Sequence, residues 1–390
     1  MTGPVAGFTS TASKRPETLF GSLAPDLPLR MSRSSGCRVW DADGREYIDY
    51  IMGLGAVALG YGHPAVTRAA IEAVEAGVVG PLPPVLEEEL AAKLRRHLPW
   101  MEQSRFLKTG AEAMAAAVRL ARTATGREYV LGCGYHGWLD WCQGVESAGV
   151  PVGTRGLYGA LPFNDAARAQ ELIRAAGDQL AAVVFEPVIV REPDPEWLAV
   201  LREETERVGA LLVVDEIKTV CRLALGGGTE RYRIAPDLAV LGKAIANGFP
   251  LAVVGGRAAV MAGVAHTWIS STLATEWVAL AAAQATLTEM VAQEVPRHLS
   301  RVGARLLAGL QHLAARHPSV ITGVGGLPEM CFLQFRDDAV SRRLAAAAAR
   351  RGLLFKRSAY NFVSLAHDET IIDRTLGLLE DALSTVQGSA

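Results

Sequence analysis

Lys243 stands alone in an apolar setting. Leu238-Ala-Val-Leu241 before it reads as a buried strand, Gly242 breaks that strand, and Ala244 and Ile245 follow. Burial disfavours the charged form of an amine, so a lysine placed there can be neutral at pH 7 and form a Schiff base. A surface lysine is the plain alternative, and the flanking apolar residues weigh against it. Upstream, Leu211-Leu-Val-Val214 reads as a second apolar strand, and it ends in Asp215. That carboxylate would be stabilised beside a pyridinium; a helix N-cap is its alternative role. An acid at one strand end and a lysine at a neighbouring one is the pair that grips pyridoxal 5′-phosphate (PLP). The acid keeps the ring nitrogen protonated and the amine holds the aldehyde.

Weaker signals surround the pair. Gly110-Ala111 opens a helix directly after a strand, where orphan N–H groups and the helix dipole attract anions. Most such turns are plain connections. Tyr135 follows another strand and can lie flat against an aromatic ring, or be an ordinary loop residue. His136 beside it reads as structural sooner than catalytic. Glu186-Pro187 ends the Ala181–Phe185 strand. Its acid would orient the cofactor's surroundings or face solvent. Ile217 lies on the face of Asp215 and would wedge a ring from the side opposite Tyr135. Each signal falls at the C-terminal end of a strand, and open α/β sheets bind ligands in the crevice there.

The elements that must position these residues follow from the hydrophobic pattern. Residues 1–20 are rich in Thr, Ser, Gly and Pro and read as a loose arm. Cys37–Asp49 reads as a hairpin about Ala42-Asp43-Gly44. The glycine-rich run 53–64 reads as loop, and 65–76 has helical spacing. Pro81, Pro83 and Pro84 stop any regular element. A helix over 86–98 carries Leu86, Leu90, Leu94 and Leu98 on one face. A short strand, Arg105–Leu107, precedes a helix striped by Met114, Ala117, Val118 and Ala121.

Apolar strands at 129–131, 181–185, 211–214, 238–241 and 251–254 then alternate with helices near 164–176, 195–208 and 274–292. This predicts an α/β fold with a mostly parallel sheet covered on both faces. From about residue 286, helices over 295–317 and 339–351 flank short strands at 330–335 and 362–365, a smaller α+β domain. The expected division is an N-terminal arm and hairpin (1–50) that joins the C-terminal domain, a large domain (51–285) and a small one (286–390).

Composition excludes other classes. The chain has 390 residues, half of them hydrophobic, with 39 Lys+Arg against 41 Asp+Glu. Neither nucleic acid nor a membrane surface is an expected partner. Five cysteines without a C-x-x-C argue against a disulfide framework or a zinc site and fit a reducing, cytoplasmic setting. No signal peptide or membrane span is expected. A nicotinamide dehydrogenase would need G-x-G-x-x-G after its first strand, and that motif is missing.

Taken together, the motifs resemble the class III aminotransferases of PLP fold type I, and within them the glutamate-1-semialdehyde aminomutase branch. The resemblance spans residues 36–385 or so. It is carried by Val39-Trp-Asp-Ala-Asp-Gly44, Leu59-Gly-Tyr-Gly-His-Pro64, Lys108-Thr-Gly-Ala-Glu-Ala113 and Gly134-Tyr-His-Gly137. Phe185-Glu-Pro187, Val214-Asp-Glu-Ile217, Pro236-Asp-Leu238, Gly242-Lys243 and Ser271-Thr-Leu273 complete it. It implies a large domain with a seven-stranded sheet. Lys243 would form the internal aldimine and Asp215 would pair with the ring nitrogen. Tyr135 would stack on the ring, with Ile217 over its other face. Gly110 and Ala111 would donate N–H groups to the phosphate. Thr272 would reach the phosphate of a neighbouring subunit, in a homodimer. The implied activity is amino-group transfer on an amino acid or amino compound, by an aminotransferase or aminomutase. A racemase, decarboxylase or side-chain-replacing enzyme is the alternative on the same scaffold.

Departures from the family pattern bear on substrate. Ala111 lacks the hydroxyl of the Thr or Ser often found there. Lys218 stands where relatives carry Gln or Met. There it would bind a substrate carboxylate, stabilise the cofactor's phenolate, or point away. The Glu-Pro motif of many transaminases continues with Gln-Gly-Glu; here it reads Glu186-Pro-Val-Ile-Val-Arg191, so a gating acid is missing and Arg191 lies close by in its stead. Arg191 would bind an anionic group or stand solvated. The loop Gly80-Pro-Leu-Pro-Pro84 lacks the usual polar residues.

Overall fold

Three of the apolar runs are buried along nearly their whole length, as strands covered on both faces must be. They form the centre of a seven-stranded sheet in a computed structural model that describes residues 4–21, 24, 26–143 and 147–388. Residues 1–3 of the expected arm, and 389–390 at the other end, lie outside the described residues. The strands are β1 (Gln103–Leu107), β2 (Tyr129–Cys133), β3 (Tyr158–Ala160), β4 (Leu180–Phe185), β5 (Leu211–Asp215), β6 (Leu238–Leu241) and β7 (Ala252–Gly256). Their order is β1-β7-β6-β5-β4-β2-β3. β7 runs antiparallel to both neighbours, and the pairs from β6 to β3 are parallel. A parallel return needs a long crossover, and the link from β6 to β7 is too short for one.

Alternate residues of each strand feed two cores. On one face, Ala182, Val184, Val213 and Val240 meet Met114, Ala117, Val118 and Ala121 of helix α1 (Gly110–Thr125). On the other, Val183, Phe185, Leu212 and Val214 meet Ala169 and Ile173 of α2 (Ala166–Ala176) and Trp197 and Leu201 of α3 (Pro195–Val208). The expected stripe of α1 is buried. In the helix Val85–His97, Leu90 and Leu94 are buried, whereas Leu86, expected on the same face, is only partly covered. The helix expected from 274 begins at Trp277, because the Glu276 side chain accepts the N–H groups of Val278 and Ala279 and caps it there.

By its contacts the chain forms two units, 64–296 and a second made of 1–63 with 297–390. In the second unit the hairpin Arg38–Asp41 and Glu46–Asp49 gains Met31–Ser35 on one side and Leu353–Leu354 on the other. Asp41 Oδ1 closes its turn by accepting the N–H groups of Asp43 (3.0 Å) and Arg45 (2.9 Å). The arm is not wholly irregular: Ala12–Lys14 and Pro16–Phe20 are short helical turns. A three-stranded sheet holds Ile321–Leu327, Met330–Phe335 and Asn361–Phe362. The strand expected over 362–365 is cut to Asn361–Phe362, because the Ser364 N–H donates to His367 Nδ1 (3.0 Å) and leaves the ladder. Among the described residues, no helix is long and apolar enough to cross a membrane.

Candidate active site

The ends of β2, β4, β5 and β6 and the start of α1 bring most of the expected residues together, all within the sheet unit. Gly242 ends β6, and Lys243 opens a tight turn, Lys243–Ala246, with a left-handed φ of 49°. A non-glycine residue held there stores strain that the surrounding structure must support. Burial pushes the Lys243 amine below the usual lysine range. Asp215 and Glu186 oppose that shift; Lys218 and Arg222 add to it.

Asp215 ends β5 and is 3% exposed. Its Oδ2 lies 2.8 Å from His136 Nδ1, and its Oδ1 accepts the Ile217 N–H at 3.1 Å. The His136 ring is buried, lies stacked near Trp141, and leaves its Nε2 without a hydrogen-bond partner. Two donors thus fix the Asp215 carboxylate in one orientation when Nδ1 carries the proton.

Ile217 walls the same space. A Cβ added to Gly110 would stand 2.6 Å from Ile217 Cδ1, and one added to Gly242 would stand 3.4 Å from Ile217 Cγ2. Gly110 is the first residue of α1. Thr109 caps the helix: its Oγ1 accepts the Glu112 N–H (3.2 Å), and its own N–H donates to Glu112 Oε2 (2.8 Å). This capping box uses the Glu112 N–H and leaves those of Gly110 and Ala111 to face an anion. A Cβ on Gly137 would stand 2.7 Å from that of Ala111, so the loop after β2 passes close over the helix start.

That loop carries Tyr135, a residue 73% exposed. Its N–H donates to Glu186 Oε1 at 2.8 Å, and Lys218 Nζ donates to Glu186 Oε2 at 2.5 Å. Arg191 and Thr272 stand apart. Arg191 is exposed beyond Val190, and Thr272 is exposed on a turn; neither makes any of the contacts above.

Three residues of this region escaped sequence reasoning in whole or part. His136, expected to be structural sooner than catalytic, holds Asp215, and nothing local in the sequence signals that contact. Glu216 and Arg222 had no signal either. Glu216 is buried, accepts N–H groups from Gly228 (2.9 Å) and Thr229 (2.5 Å), and burial pushes its carboxyl up to about 7. Arg222 is buried, and its Nε donates to the Lys218 carbonyl at 3.3 Å.

The donor set fits PLP. A locked carboxylate suits the ring nitrogen, a desolvated amine suits the aldehyde, and glycine-sized space at a helix start suits the phosphate. The family model for class-III aminotransferases matches residues 22–386. A glutamate-1-semialdehyde 2,1-aminomutase of Sorangium cellulosum is 36% identical, over 95% of this chain and 92% of its own. One of Thermus thermophilus is 35% identical over 91% of each. Among solved structures, the PLP internal aldimine form of the FumI protein of a Sphingopyxis species superposes with a TM-score of 0.91 at 27% identity. That match covers 96% of this chain and 92% of the other.

Proposed function

This chain belongs to the class III aminotransferase family, and from that premise we propose that Lys243 is the lysine that carries the aldehyde of PLP during amino-group transfer. The enzyme is PLP-dependent and acts on an amino acid or amino compound. When bound, PLP supplies an electron sink for negative charge at the substrate carbon. Asp215, held by His136 and the Ile217 N–H, would face the ring nitrogen and keep it protonated. Lys243, whose amine burial pushes below the usual lysine range, would take the proton from the substrate carbon and return it to a neighbouring one. The N–H groups of Gly110 and Ala111 would hold the phosphate. Ile217 would cover one ring face and Tyr135 the other, with Glu186 fixing the Tyr135 backbone. The observation that carries this reading is the Asp215 carboxylate locked by His136 at the end of β5, with Lys243 on the turn that follows the neighbouring strand β6.

The named relatives make amino-group migration within one molecule the first reaction to test. Transfer between two molecules differs from it in needing a second carbonyl compound. The enzyme works as a homodimer, with Thr272 of one subunit reaching the phosphate held by the other. Exposed apolar side chains close to Thr272 in the chain support this: Trp268 is 80% exposed and Leu273 53%. Five free cysteines, four of them buried, are compatible with the reducing cytoplasm.

The test is to reduce the purified yellow enzyme with borohydride and map the cofactor. It is expected on Lys243 and absent from Lys243→Ala. A panel of amino donors is then scored by loss of the visible absorbance, with a parallel search for racemised or decarboxylated products. Cofactor fixed on another lysine, or an absorbance that no donor changes, would overturn the reading.

A further inference from the structure

Lys218 follows Asp215 by three residues, and its ammonium is turned inward. Its Nζ lies 2.5 Å from Glu186 Oε2, with the two side chains only 10% and 12% exposed. Glu186 spends its other oxygen on the Tyr135 N–H. Gly134, at φ 120°, leaves room for this: a Cβ there would stand 2.7 Å from Glu186 Oε1. One ion pair therefore ties together the segments that leave β2, β4 and β5. A carboxylate this buried needs its cation, since a lone buried charge is costly. Charges of both signs bear on the Lys243 amine. Asp215 and Glu186 favour its protonation; Lys218 and Arg222 oppose it.

We propose that Lys218 is a positioning residue for the Lys243 chemistry: it clamps the Glu186 carboxylate that holds Tyr135 and balances the charge with which that acid acts on the Lys243 nitrogen. The clamp has two consequences. It cancels an acid that would otherwise hold a proton on that nitrogen, and it keeps the Tyr135 loop in one place. The inference rests on Lys243 being the cofactor lysine.

The test titrates the visible absorbance of the holoenzyme against pH. Lys218→Gln should raise the pH at which the Lys243 nitrogen loses its proton by about one unit, and Lys218→Arg should restore it. Glu186→Gln should lower it. Opposite movements separate a charge effect from general damage to the site. An unmoved midpoint in Lys218→Gln overturns the proposal. Where that variant does not retain cofactor, Glu186→Gln decides: a lower midpoint supports the proposal, and an unmoved or higher one overturns it. A wrong cofactor lysine is distinguished in the parent enzyme, where borohydride would then fix PLP elsewhere than Lys243.

Discussion

Asp215 shows how one residue is made fit for a task by its neighbours. A carboxylate at a buried strand end is costly unless its oxygens find donors. Here His136 takes one oxygen and the Ile217 N–H the other, so the group is fixed before any ring nitrogen arrives. Preorganised charge of this kind needs no rearrangement during reaction. Asp215→Asn keeps the shape and removes the charge. We expect kcat/KM to fall about 10²–10³-fold, the scale of losing one preorganised electrostatic partner. Steady-state kinetics with the best donor check this, and a loss under tenfold would mean that the ring nitrogen is held by something else. The Asp215 and Lys243 positions were readable because each is a polar residue closing an apolar run. The His136 contact was not, since nothing local in a Tyr-His pair says that its ring reaches a strand two positions away in the sheet.

At the scale of the element, the start of α1 is a fitted joint between a helix and a loop. The capping box settles which N–H groups remain open, and Ile217 settles how little space is left above Gly110. Gly110→Ala places a methyl 2.6 Å from Ile217 Cδ1. The flexible end of Ile217 must yield, at about 0.5–1.5 kcal/mol of off-rotamer strain. PLP retention should therefore weaken by roughly 2- to 10-fold. Adding Ile217→Val removes the offending Cδ1 and should recover most of the loss; measuring cofactor dissociation by absorbance decides it. No recovery would show that the glycine is needed for backbone reasons alone. The helix itself was legible from its 3.6-residue stripe, while its capping box emerged only in the structure. Its contact with Ile217, more than a hundred residues on, was not legible either.

Across the whole molecule, stability is linked to pH through Glu216. This buried acid anchors the Gly228–Thr229 backbone, and burial lifts its pKa from 4.5 to about 7. The folded chain thus binds more protons than the unfolded chain between those values. The group's stabilising contribution is complete below the unfolded value and is lost as pH rises through about 7. Glu216→Gln removes that dependence. The difference in Tm between variant and parent should move in favour of the variant from about pH 5 to about pH 8. A difference that stays constant across that range would show that Glu216 remains charged throughout.

Order along the chain determined a good deal here. Continuous apolar runs dictated buried strands, alternation with helical stripes dictated a mostly parallel α/β sheet, and polar residues closing those runs pointed to Lys243, Asp215 and Glu186. Those signals are local, because strand and helix periodicity is written within a few residues. Tertiary structure alone decided the rest. The strand order, the reversed direction of β7, the hydrogen bond from His136 to Asp215 and the pairing of Lys218 with Glu186 all join residues distant in the chain. Only closure of the sheet brings such groups within a few ångströms, and only at that distance do charge and hydrogen bonding set what each side chain can do.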